Sequence, residues 1–316
     1  MTSICILEKK QQNSLLQHSQ NDLFQFFIPL SFFMNDPKPL ISIIVPTYKN
    51  FIYLADCLRS ILEQDYSRFE LIVVDDGSGD FNCQEWCDFI KKQKSENLVN
   101  YLVYSNETNL GTVKSLNSAI KKCRGDFIKI IACDDALYCN STLSSFVSSV
   151  EKNDLDCFVG NVALCDDHLN ENALADNKFI SSMDSKSPKN LFSKTCCRNN
   201  INAAGVFFRK VFFDKNGLFD DRFKLIEDWP TWLGIFNRGE KIGYVNITVA
   251  KRRVATGVVS NNNPIYLKDK KNIWRFIIAA ERKKIGLFVY LKSGLITFLS
   301  TVPLFRRIAY LFVKKR

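Results

Sequence analysis

The sequence predicts an α/β protein with a mainly parallel central sheet flanked by helices. Two observations lead to this prediction. Short β-branched segments alternate with amphipathic ones over residues 40–135, which is the pattern of consecutive βαβ units. Two of the predicted strands end in adjacent aspartates, Asp75-Asp76 and Asp134-Asp135. Because ligands of open parallel sheets bind beyond the carboxyl ends of the strands, these acids indicate a binding site.

The first half of the chain contains the clearest elements. Apolar β-branched runs predict buried strands, and apolar residues at helical spacing predict helices. The predicted strands are 40–48, 69–78, 98–105 and 126–135, and the predicted helices are 50–63, 84–94 and 112–123. In the first helix Asn50 is the expected N-cap, and Ile52 is expected on the buried face with Leu54 and Leu58.

The second half of the chain is less regular. A helix and a strand are expected first, and then a polar, turn-rich loop at 166–200 that suits a cover over a site. A strand and a short helix follow at 204–216. A further helix is expected to start at Asp228, with Pro230 in its first turn, before a last strand at 241–253.

The two ends of the chain differ from this central region, which is predicted to be one domain at 39–258. Residues 1–38 are interpreted as an N-terminal extension, with Met34 as a candidate start of the functional chain. The alternative is that the aromatic run before Met34 forms an interfacial anchor. Residues 259–316 are predicted to be a basic, amphipathic helical tail that contacts a membrane surface. The alternative for this tail is a helical pair that packs on the domain.

The composition narrows the classes of partner. There are 43 Lys and Arg against 33 Asp and Glu, and the formal charge of +10 favours an anionic partner such as a phosphate-bearing substrate or an acidic membrane face. The basic residues are spread out and form no recognisable nucleic-acid module, so no nucleic-acid partner is expected. The eleven cysteines are scattered and odd in number, as in a reduced cytosolic protein. Cys83 and Cys87 lack a matching second pair, which argues against a zinc site.

The strand-end acids are the first candidate functional residues. Carboxylates at the end of a buried strand must be solvated, hydrogen-bonded or metal-bound. A divalent cation would relieve the repulsion between Asp134 and Asp135 and add affinity for phosphate, because Mg2+ and Mn2+ prefer hard oxygen ligands. The alternative reading of each pair is a turn, and for Asp75-Asp76 the following Gly77 favours it. Two such pairs at neighbouring strand ends are harder to explain as turns alone.

A third acidic pair, Glu227-Asp228, stands at the start of a predicted helix beside Trp229. A carboxylate in this position stabilises a helix N-terminus. It would also serve as a general base beside the apolar face of a sugar. Both readings can hold together.

Five segments resemble family-two glycosyltransferases with the GT-A fold in their order and spacing. They are ISIIVPTYKN, ELIVVDDGSGD, NLGTVKSLNSAI, GDFIKIIACDDAL and EDWPTWLGIFNRG. The resemblance covers residues 39 to about 255 and is specific because all five segments agree. It implies an inverting glycosyltransferase of the hexosyltransferase type that uses a nucleotide-diphosphate sugar and a divalent metal, Mn2+ or Mg2+.

The resemblance also implies a role for individual residues. The donor nucleotide would be bound by Pro46, Tyr48, Asp75, Asp76, Lys114 and Asp134. Asp135 would hold the metal, and Asp228 would be the catalytic base. Glu227 and Trp229 would contact the acceptor.

Two departures from the family pattern stand out. Leu116-Asn117 replaces the usual Arg-Asn pair, and no histidine follows the last predicted strand, since the only two are His18 and His168. One of the basic residues in Lys251-Arg252-Arg253 would then bind the diphosphate. The third metal contact is left open by this difference.

The resemblance further implies a bacterial surface polysaccharide pathway, such as lipopolysaccharide or capsule synthesis. The acceptor would be a lipid-linked saccharide, and the enzyme would be cytoplasmic and peripheral on the inner face of the cell membrane. The alternatives are a different nucleotide-dependent enzyme such as a nucleotidyltransferase, or a non-enzymatic protein that binds nucleic acid or a partner. The early segment PTYKNFIY lacks the glycines of a nucleotidyltransferase phosphate loop.

Overall fold

The computed structural model describes residues 5–8, 38–93, 95–254 and 263–302. Within these ranges, one ten-stranded sheet is covered by helices on both faces. Met34, most of the N-terminal extension and the chain beyond residue 302 lie outside the described residues, so the expectations about them stay predictions.

Strands and helices alternate along much of the described chain. The strands are β1 (Cys5–Glu8), β2 (Ile41–Thr47), β3 (Phe69–Asp75), β4 (Leu98–Ser105), β5 (Phe127–Ile130), β6 (Ala136–Leu137), β7 (Cys157–Cys165), β8 (Glu171–Leu174), β9 (Val206–Arg209) and β10 (Gly243–Arg253). The α-helices are α1 (Leu54–Leu62), α2 (Cys83–Lys92), α3 (Thr112–Ile120), α4 (Thr142–Val150), α5 (Pro188–Cys197), α6 (Lys210–Asn216), α7 (Asp228–Asn237), α8 (Pro264–Ile273) and α9 (Arg282–Thr301). A π-helix, Trp274–Ile278, follows α8 directly.

The strands follow the order β1-β4-β3-β2-β5-β9-β7-β10-β6, and β8 pairs with β7. The ladders that join β4, β3, β2 and β5 are parallel, as is the ladder between β7 and β10. The remaining ladders are antiparallel. The predicted mainly parallel sheet is therefore confirmed, and the acidic ends of β3 and β5 lie on either side of the end of β2.

The core forms two layers, one on each face of the sheet. Alternate residues of a strand point to opposite faces, so Ile43 of β2 packs in one layer and Ile44 in the other. Helices α1, α2 and α4 cover the first layer. Helices α3, α5, α6 and α7 cover the second, together with apolar residues of α8 and α9.

The first predicted helix starts later than expected. Asn50 is not its N-cap, because the helix begins at Leu54 after Tyr53, and Ile52 is exposed and does not join the buried face. The physical reason is the turn that follows β2. Lys49 has a positive φ of 52°, and the backbone oxygen of Asn50 accepts a hydrogen bond from the Cys133 thiol at 3.3 Å. The chain must complete this turn before a helix can begin.

The predicted loop at 166–200 is wrong as a description of that segment, because it contains β8 and α5. The start of α5 has a recognisable signal, since the Ser187 side chain accepts a hydrogen bond from the backbone N–H of Asn190 and Pro188 is the first helical residue. Leu191 and Phe192 of α5 are buried in the second core layer. Their burial against α7 offsets the polar composition that suggested a loop.

The described segments near each end of the chain, 5–8 and 263–302, contribute to the fold. Strand β1 pairs antiparallel with β4 at one edge of the sheet. Helix α8 starts at an Asn263 cap, and α9 packs one face against α5 and α8. The predicted helical C-terminal extension is therefore confirmed over its described part. No helix in the described ranges is long and apolar enough to cross a membrane.

Candidate functional site

Asp75, the last residue of β3, closes the turn that leads out of the strand. Its buried carboxylate accepts hydrogen bonds from the backbone N–H of Ser78 at 2.9 Å and from the Ser105 hydroxyl at 2.5 Å. The Ser78 hydroxyl also donates to it. Because Ser105 ends the neighbouring strand β4, Asp75 ties the ends of two parallel strands together at the edge where a ligand is expected.

Asp76 links the end of β3 to the start of α3. Its buried carboxylate accepts hydrogen bonds from the backbone N–H groups of Leu110 at 2.8 Å and Gly111 at 2.9 Å. The Ser115 hydroxyl at 2.6 Å and the Asn106 amide at 3.2 Å also donate to it. Asp76 therefore shapes the segment that leads into α3, where the sequence predicts the nucleotide to pass.

The remaining residues predicted to bind the nucleotide lie along the same edge. Pro46 belongs to β2 and Tyr48 follows it, and both are partly exposed. The backbone N–H of Asp76 donates to the carbonyl of Thr47 at 2.9 Å, so the two strand ends leave the sheet side by side. Lys114 is exposed in the first turn of α3.

Asp134 and Asp135 form a buried turn between β5 and β6. The backbone N–H of Asp135 donates to the carbonyl of Ala132 at 3.0 Å, and Oδ1 of Asp135 accepts a hydrogen bond from the backbone N–H of Arg253 at 3.1 Å. Burial and the neighbouring Asp134 charge raise the pKa of Asp135 to about 7, against a lowering by Arg252. A buried carboxylate of this kind is unfavourable in its charged form without a cation.

Asp134 and Asp135 offer the hard oxygen ligands that Mg2+ and Mn2+ take. Among the described residues, no group of three or more His, Cys, Asp or Glu could hold a metal ion. A site of one or two carboxylates suits Mg2+ or a similar ion, because such ions are completed by substrate phosphates and water. Of the two histidines, His18 lies outside the described ranges, and His168 is exposed in the turn after β7.

Arg253 braces the turn that carries the acids. Its guanidinium donates to the carbonyl of Asp134 at 2.7 Å, to the carbonyl of Asp167 at 2.8 Å and to the carboxylate of Asp56 at 2.7 Å. It also lies 4.2 Å from the ring centroid of Tyr53. Because its side chain is buried and engaged in these contacts, Arg253 holds the acidic turn in place.

The other two basic residues predicted as diphosphate contacts are placed differently. Lys251 lies 3.8 Å from the carboxylate of Glu171 and is partly buried. Arg252 is exposed, and its charge lowers the pKa of both Asp135 and Asp228 against the raising effect of burial. Arg252 is therefore the member of the three whose charge acts on both Asp135 and Asp228.

Glu227 and Asp228 lie at the start of α7 and are both partly buried. Burial, followed by the charge of Asp228, raises the pKa of Glu227 to about 8. Burial also raises the pKa of Asp228, but two hydrogen bonds oppose the rise. They come from the Asn199 amide at 2.6 Å and the backbone N–H of Trp229 at 2.6 Å. These two hydrogen bonds favour the charged form of Asp228.

Trp229 is nearly buried, and its indole N–H donates to the carbonyl of Thr195 in α5 at 2.7 Å. This geometry favours a role in anchoring α7 over the acceptor contact expected from the sequence.

Sequence reasoning missed three residues of this region. Asn199 follows α5 and donates a hydrogen bond to Asp228. Tyr266 belongs to α8, and the charge of Asp228 adds to the rise in the pKa of Tyr266 that burial causes. The buried carboxylate of Asp269, also in α8, accepts hydrogen bonds from the backbone N–H groups of Lys224 at 2.9 Å and Leu225 at 2.7 Å. None of the three belongs to a motif, although the polar segment around Asn199 was predicted to lie over a site.

Several known proteins are similar to this chain in sequence. GlyG, a glycosyltransferase of Streptococcus pneumoniae, is 36% identical over 122 residues, which are 39% of this chain and 38% of GlyG. A PGL/p-HBAD biosynthesis glycosyltransferase of Mycobacterium tuberculosis is 27% identical over 216 residues, which are 67% of this chain and 76% of that protein. This chain thus spans well under half the length of GlyG but most of the mycobacterial relative.

Two solved structures share the fold. S. aureus TarS 1–349 in complex with UDP-GlcNAc matches with a TM-score of 0.53 and 20% identity, over 83% of this chain and 81% of that one. Mannosyltransferase PcManGT from Pyrobaculum calidifontis, in complex with GDP-Man and Mn2+, matches with a TM-score of 0.54 and 17% identity, over 87% and 74%. These similarities confirm the predicted GT-A fold. The family model described as Glycosyl transferase family 2 matches residues 42–213, more than half of the chain. The chain therefore belongs to glycosyl transferase family 2.

Proposed function

We propose that this chain transfers a sugar from a nucleotide-diphosphate donor to a hydroxyl of a saccharide acceptor, with inversion at the anomeric carbon. One observation carries the proposal. Asp135 in the buried acidic turn and the separate carboxylate of Asp228 are both influenced by the exposed Arg252, whose charge lowers the pKa of each against the raising effect of burial. Such an arrangement separates a site for an anionic leaving group from a site for a general base.

The donor would lie along the ends of β2, β3 and β5. Pro46 and Tyr48 would line the base, and Lys114 would lie near phosphate. Asp76 organises the segment that leads into α3, and it would contact the base through that segment. Relatives of this fold bind such donors, since TarS is solved with UDP-GlcNAc and PcManGT with GDP-Man. Asp134 would face the ribose, while Asp75 would hold the loop.

A divalent cation, Mn2+ or Mg2+, would be held by Asp135. When bound, such an ion supplies positive charge that stabilises the leaving diphosphate. Arg252 would add to that stabilisation, because its exposed guanidinium is free of the structural contacts that engage Arg253 and already acts on Asp135. A phosphate oxygen accepts hydrogen bonds from a guanidinium especially well.

Asp228 would remove the proton from the acceptor hydroxyl. The acceptor oxygen then forms a bond to the anomeric carbon while the bond from that carbon to the diphosphate oxygen breaks, so the electron pair leaves with the nucleotide. A raised pKa suits Asp228 to this task, because a general base works best when its pKa is near the working pH. Glu227 would donate a hydrogen bond to the acceptor while it is protonated.

The proposed setting is bacterial surface polysaccharide synthesis, with a lipid-linked saccharide acceptor at the cytoplasmic face of the cell membrane. The described part of the C-terminal tail supports this setting, since α9 leaves apolar side chains exposed beside basic ones. The mycobacterial relative is named as a PGL/p-HBAD biosynthesis glycosyltransferase.

Thermal shift measurements with a panel of nucleotide sugars, with and without Mn2+, test the proposal. We expect at least one nucleotide-diphosphate sugar to stabilise the protein, and we expect Mn2+ to increase the shift. Asp135→Asn should lose the part that depends on Mn2+, while the exposed Asp154→Asn should behave as the unaltered protein does. The absence of any shift across the panel would contradict the proposed donor class.

A further inference from the structure

The side of α9 that points away from the domain forms a continuous apolar stripe. Its members recur at helical spacing, so they share one side of the helix. They are Leu287, Phe288, Leu291, Leu295 and Phe298, with exposed fractions of 71%, 78%, 58%, 48% and 56%. Single exposed apolar residues are ordinary in proteins, but a contiguous set of this size marks an interaction surface. We call these five residues the α9 face.

The opposite side of α9 is held by the protein. Ser293 and Thr297 are buried, and α9 packs against α5 and α8. Since one side is fixed to the domain, the helix lies along the surface and presents its apolar side outward. The orientation of the α9 face is thus set by the fold.

An apolar groove runs beside the α9 face. It has a volume of about 460 Å³ and shares Leu291, Leu295 and Phe298 with that face. Trp274 and Tyr290 form part of its wall, and the Trp274 indole N–H donates to the Ser293 hydroxyl at 3.2 Å. Tryptophan and tyrosine are the side chains that collect at the boundary between hydrocarbon and water in membranes.

The charge around the α9 face is strongly positive. Residues 263–302 contain eight Lys or Arg and two acidic residues, Asp269 and Glu281. Asp269 is buried and occupied by backbone N–H groups. Lys271 lines the groove, and Lys283 is exposed in the short turn before Gly286, whose non-helical φ of 79° and ψ of 160° kink α9 just ahead of the α9 face. An anionic partner would therefore meet apolar and basic side chains together.

We propose that the α9 face inserts into the headgroup region of an anionic phospholipid bilayer. Apolar side chains would enter the boundary of the acyl chains, while Lys271 and Lys283 would pair with lipid phosphates. A second copy of the chain is disfavoured as the occupant, because a two-fold contact would place two basic regions against each other.

Bilayer binding by the α9 face would supply the membrane contact of the proposed function. It rests on that function only for its biological purpose. Bilayer binding requires neither donor nor acceptor. A failure of bilayer binding would therefore leave the donor-binding result intact, and a failure of donor binding would leave the bilayer result intact.

Co-sedimentation of the full chain with lipid vesicles tests the inference. One set of vesicles contains phosphatidylcholine with phosphatidylglycerol, and the other contains phosphatidylcholine alone. We expect binding to the first set to be stronger and to weaken with added salt. Leu287→Gln/Leu291→Gln should lower the affinity for the anionic vesicles by about tenfold or more, since the apolar area that enters the bilayer is reduced.

A matched control and a second variant separate the two contributions. Leu174→Gln/Val99→Gln alters two apolar residues with comparable exposure, 56% and 43%, far from α9 in sequence, and should leave vesicle binding unchanged. Lys271→Gln/Lys283→Gln keeps the α9 face and should lower binding to the anionic vesicles by about fivefold for each lysine. This second pair keeps the inference testable if the leucine pair fails to fold.

Three outcomes would overturn the inference. The first is that the unaltered protein fails to sediment with anionic vesicles, and the second is that the leucine pair and its control bind equally well. The third is that light scattering shows a lipid-free dimer that Leu287→Gln/Leu291→Gln converts to monomer, because the α9 face would then be covered by a second copy.

Discussion

The side-chain amide of Asn199 donates a hydrogen bond to Oδ2 of Asp228 at 2.6 Å, across 29 positions of sequence. Asn199 lies two residues after the end of α5, whose Thr195 carbonyl accepts the indole hydrogen bond of Trp229. The proposed base is therefore held from two sides by a segment that the sequence presents as a loop.

Removal of the Asn199 amide should shift the pH dependence of transfer. The bond stabilises the charged form of Asp228 and opposes the effect of burial, so Asn199→Ala should raise the pKa of Asp228 further. The acidic limb of the kcat profile should then move to higher pH. Asn200→Ala is the matched control, since Asn200 donates to the carbonyls of Lys194 and Arg198 and not to Asp228. Coincident acidic limbs for the two variants would refute the role of Asn199.

Glu227 should make stability depend on pH. Burial and Asp228 raise its pKa from 4.5 to about 8, so the folded protein keeps the proton between these values whereas the unfolded chain loses it. The contribution of this group is complete below about pH 4.5 and is lost as the pH rises towards 8. Glu227→Gln cannot ionise, so its Tm should rise relative to the unaltered protein as the pH increases through this window.

The exposed Glu151 provides the comparison for that experiment. Glu151→Gln should follow the unaltered protein at every pH. A difference in Tm between Glu227→Gln and the unaltered protein that stays constant from pH 4.5 to 8 would show that Glu227 does not titrate in this way.

Gly111 should tolerate alanine poorly. It has a φ of 89° and a ψ of 158°, a region that costs other residues about 1–3 kcal/mol, and an added Cβ would lie 2.7 Å from the backbone oxygen of Lys224. Gly217 has a similar φ of 78° and ψ of 176°, but nothing lies within 4 Å of its added Cβ.

Both alanine variants share the backbone cost, so their difference isolates the crowding. We expect Gly111→Ala to lower the free energy of unfolding by about 1–3 kcal/mol more than Gly217→Ala does. Denaturant titration of the two variants measures this difference. Equal losses would mean that Lys224 moves aside without cost.

Asp269 should stabilise the segment before the proposed base. Loss of its carboxylate leaves the backbone N–H groups of Lys224 and Leu225 without these hydrogen bonds, so Asp269→Ala should cost about 1–3 kcal/mol. The kcat of transfer should fall as well, because Glu227 and Asp228 follow within three residues of Leu225. Lys268→Ala, at the exposed neighbouring position, should change neither quantity. If the two variants match in unfolding free energy and in kcat, Asp269 has no positioning role.

The parallel half of the sheet could be predicted from sequence because local pattern and tertiary burial agree there. Strands β2 and β3 are rich in β-branched residues and buried on both faces, and each strand is followed by an amphipathic helix. The acidic turns at the strand ends follow from the same pattern.

The residues that hold Asp228 and its segment in place could not be predicted in this way. Asn199 and Asp269 reach the region through contacts that join distant parts of the chain, and neither has a local signature. The start of α5 did carry a signal in Ser187 and Pro188, but the polar residues around it outweighed that signal. Arg252 and Arg253 are adjacent and chemically alike, and only the packing of Arg253 beneath the acidic turn distinguishes them.

The transfer rate and donor affinity of Asp228→Asn, measured side by side, test the central claim most directly. A positioned carboxylate base contributes ~10²–10⁴-fold to the rate, so kcat should fall by about that factor while the affinity for the nucleotide sugar stays unchanged. Asp221→Asn, at an exposed position seven residues earlier, should retain the kcat of the unaltered protein. Undiminished transfer by Asp228→Asn would contradict the assignment of Asp228 as the base.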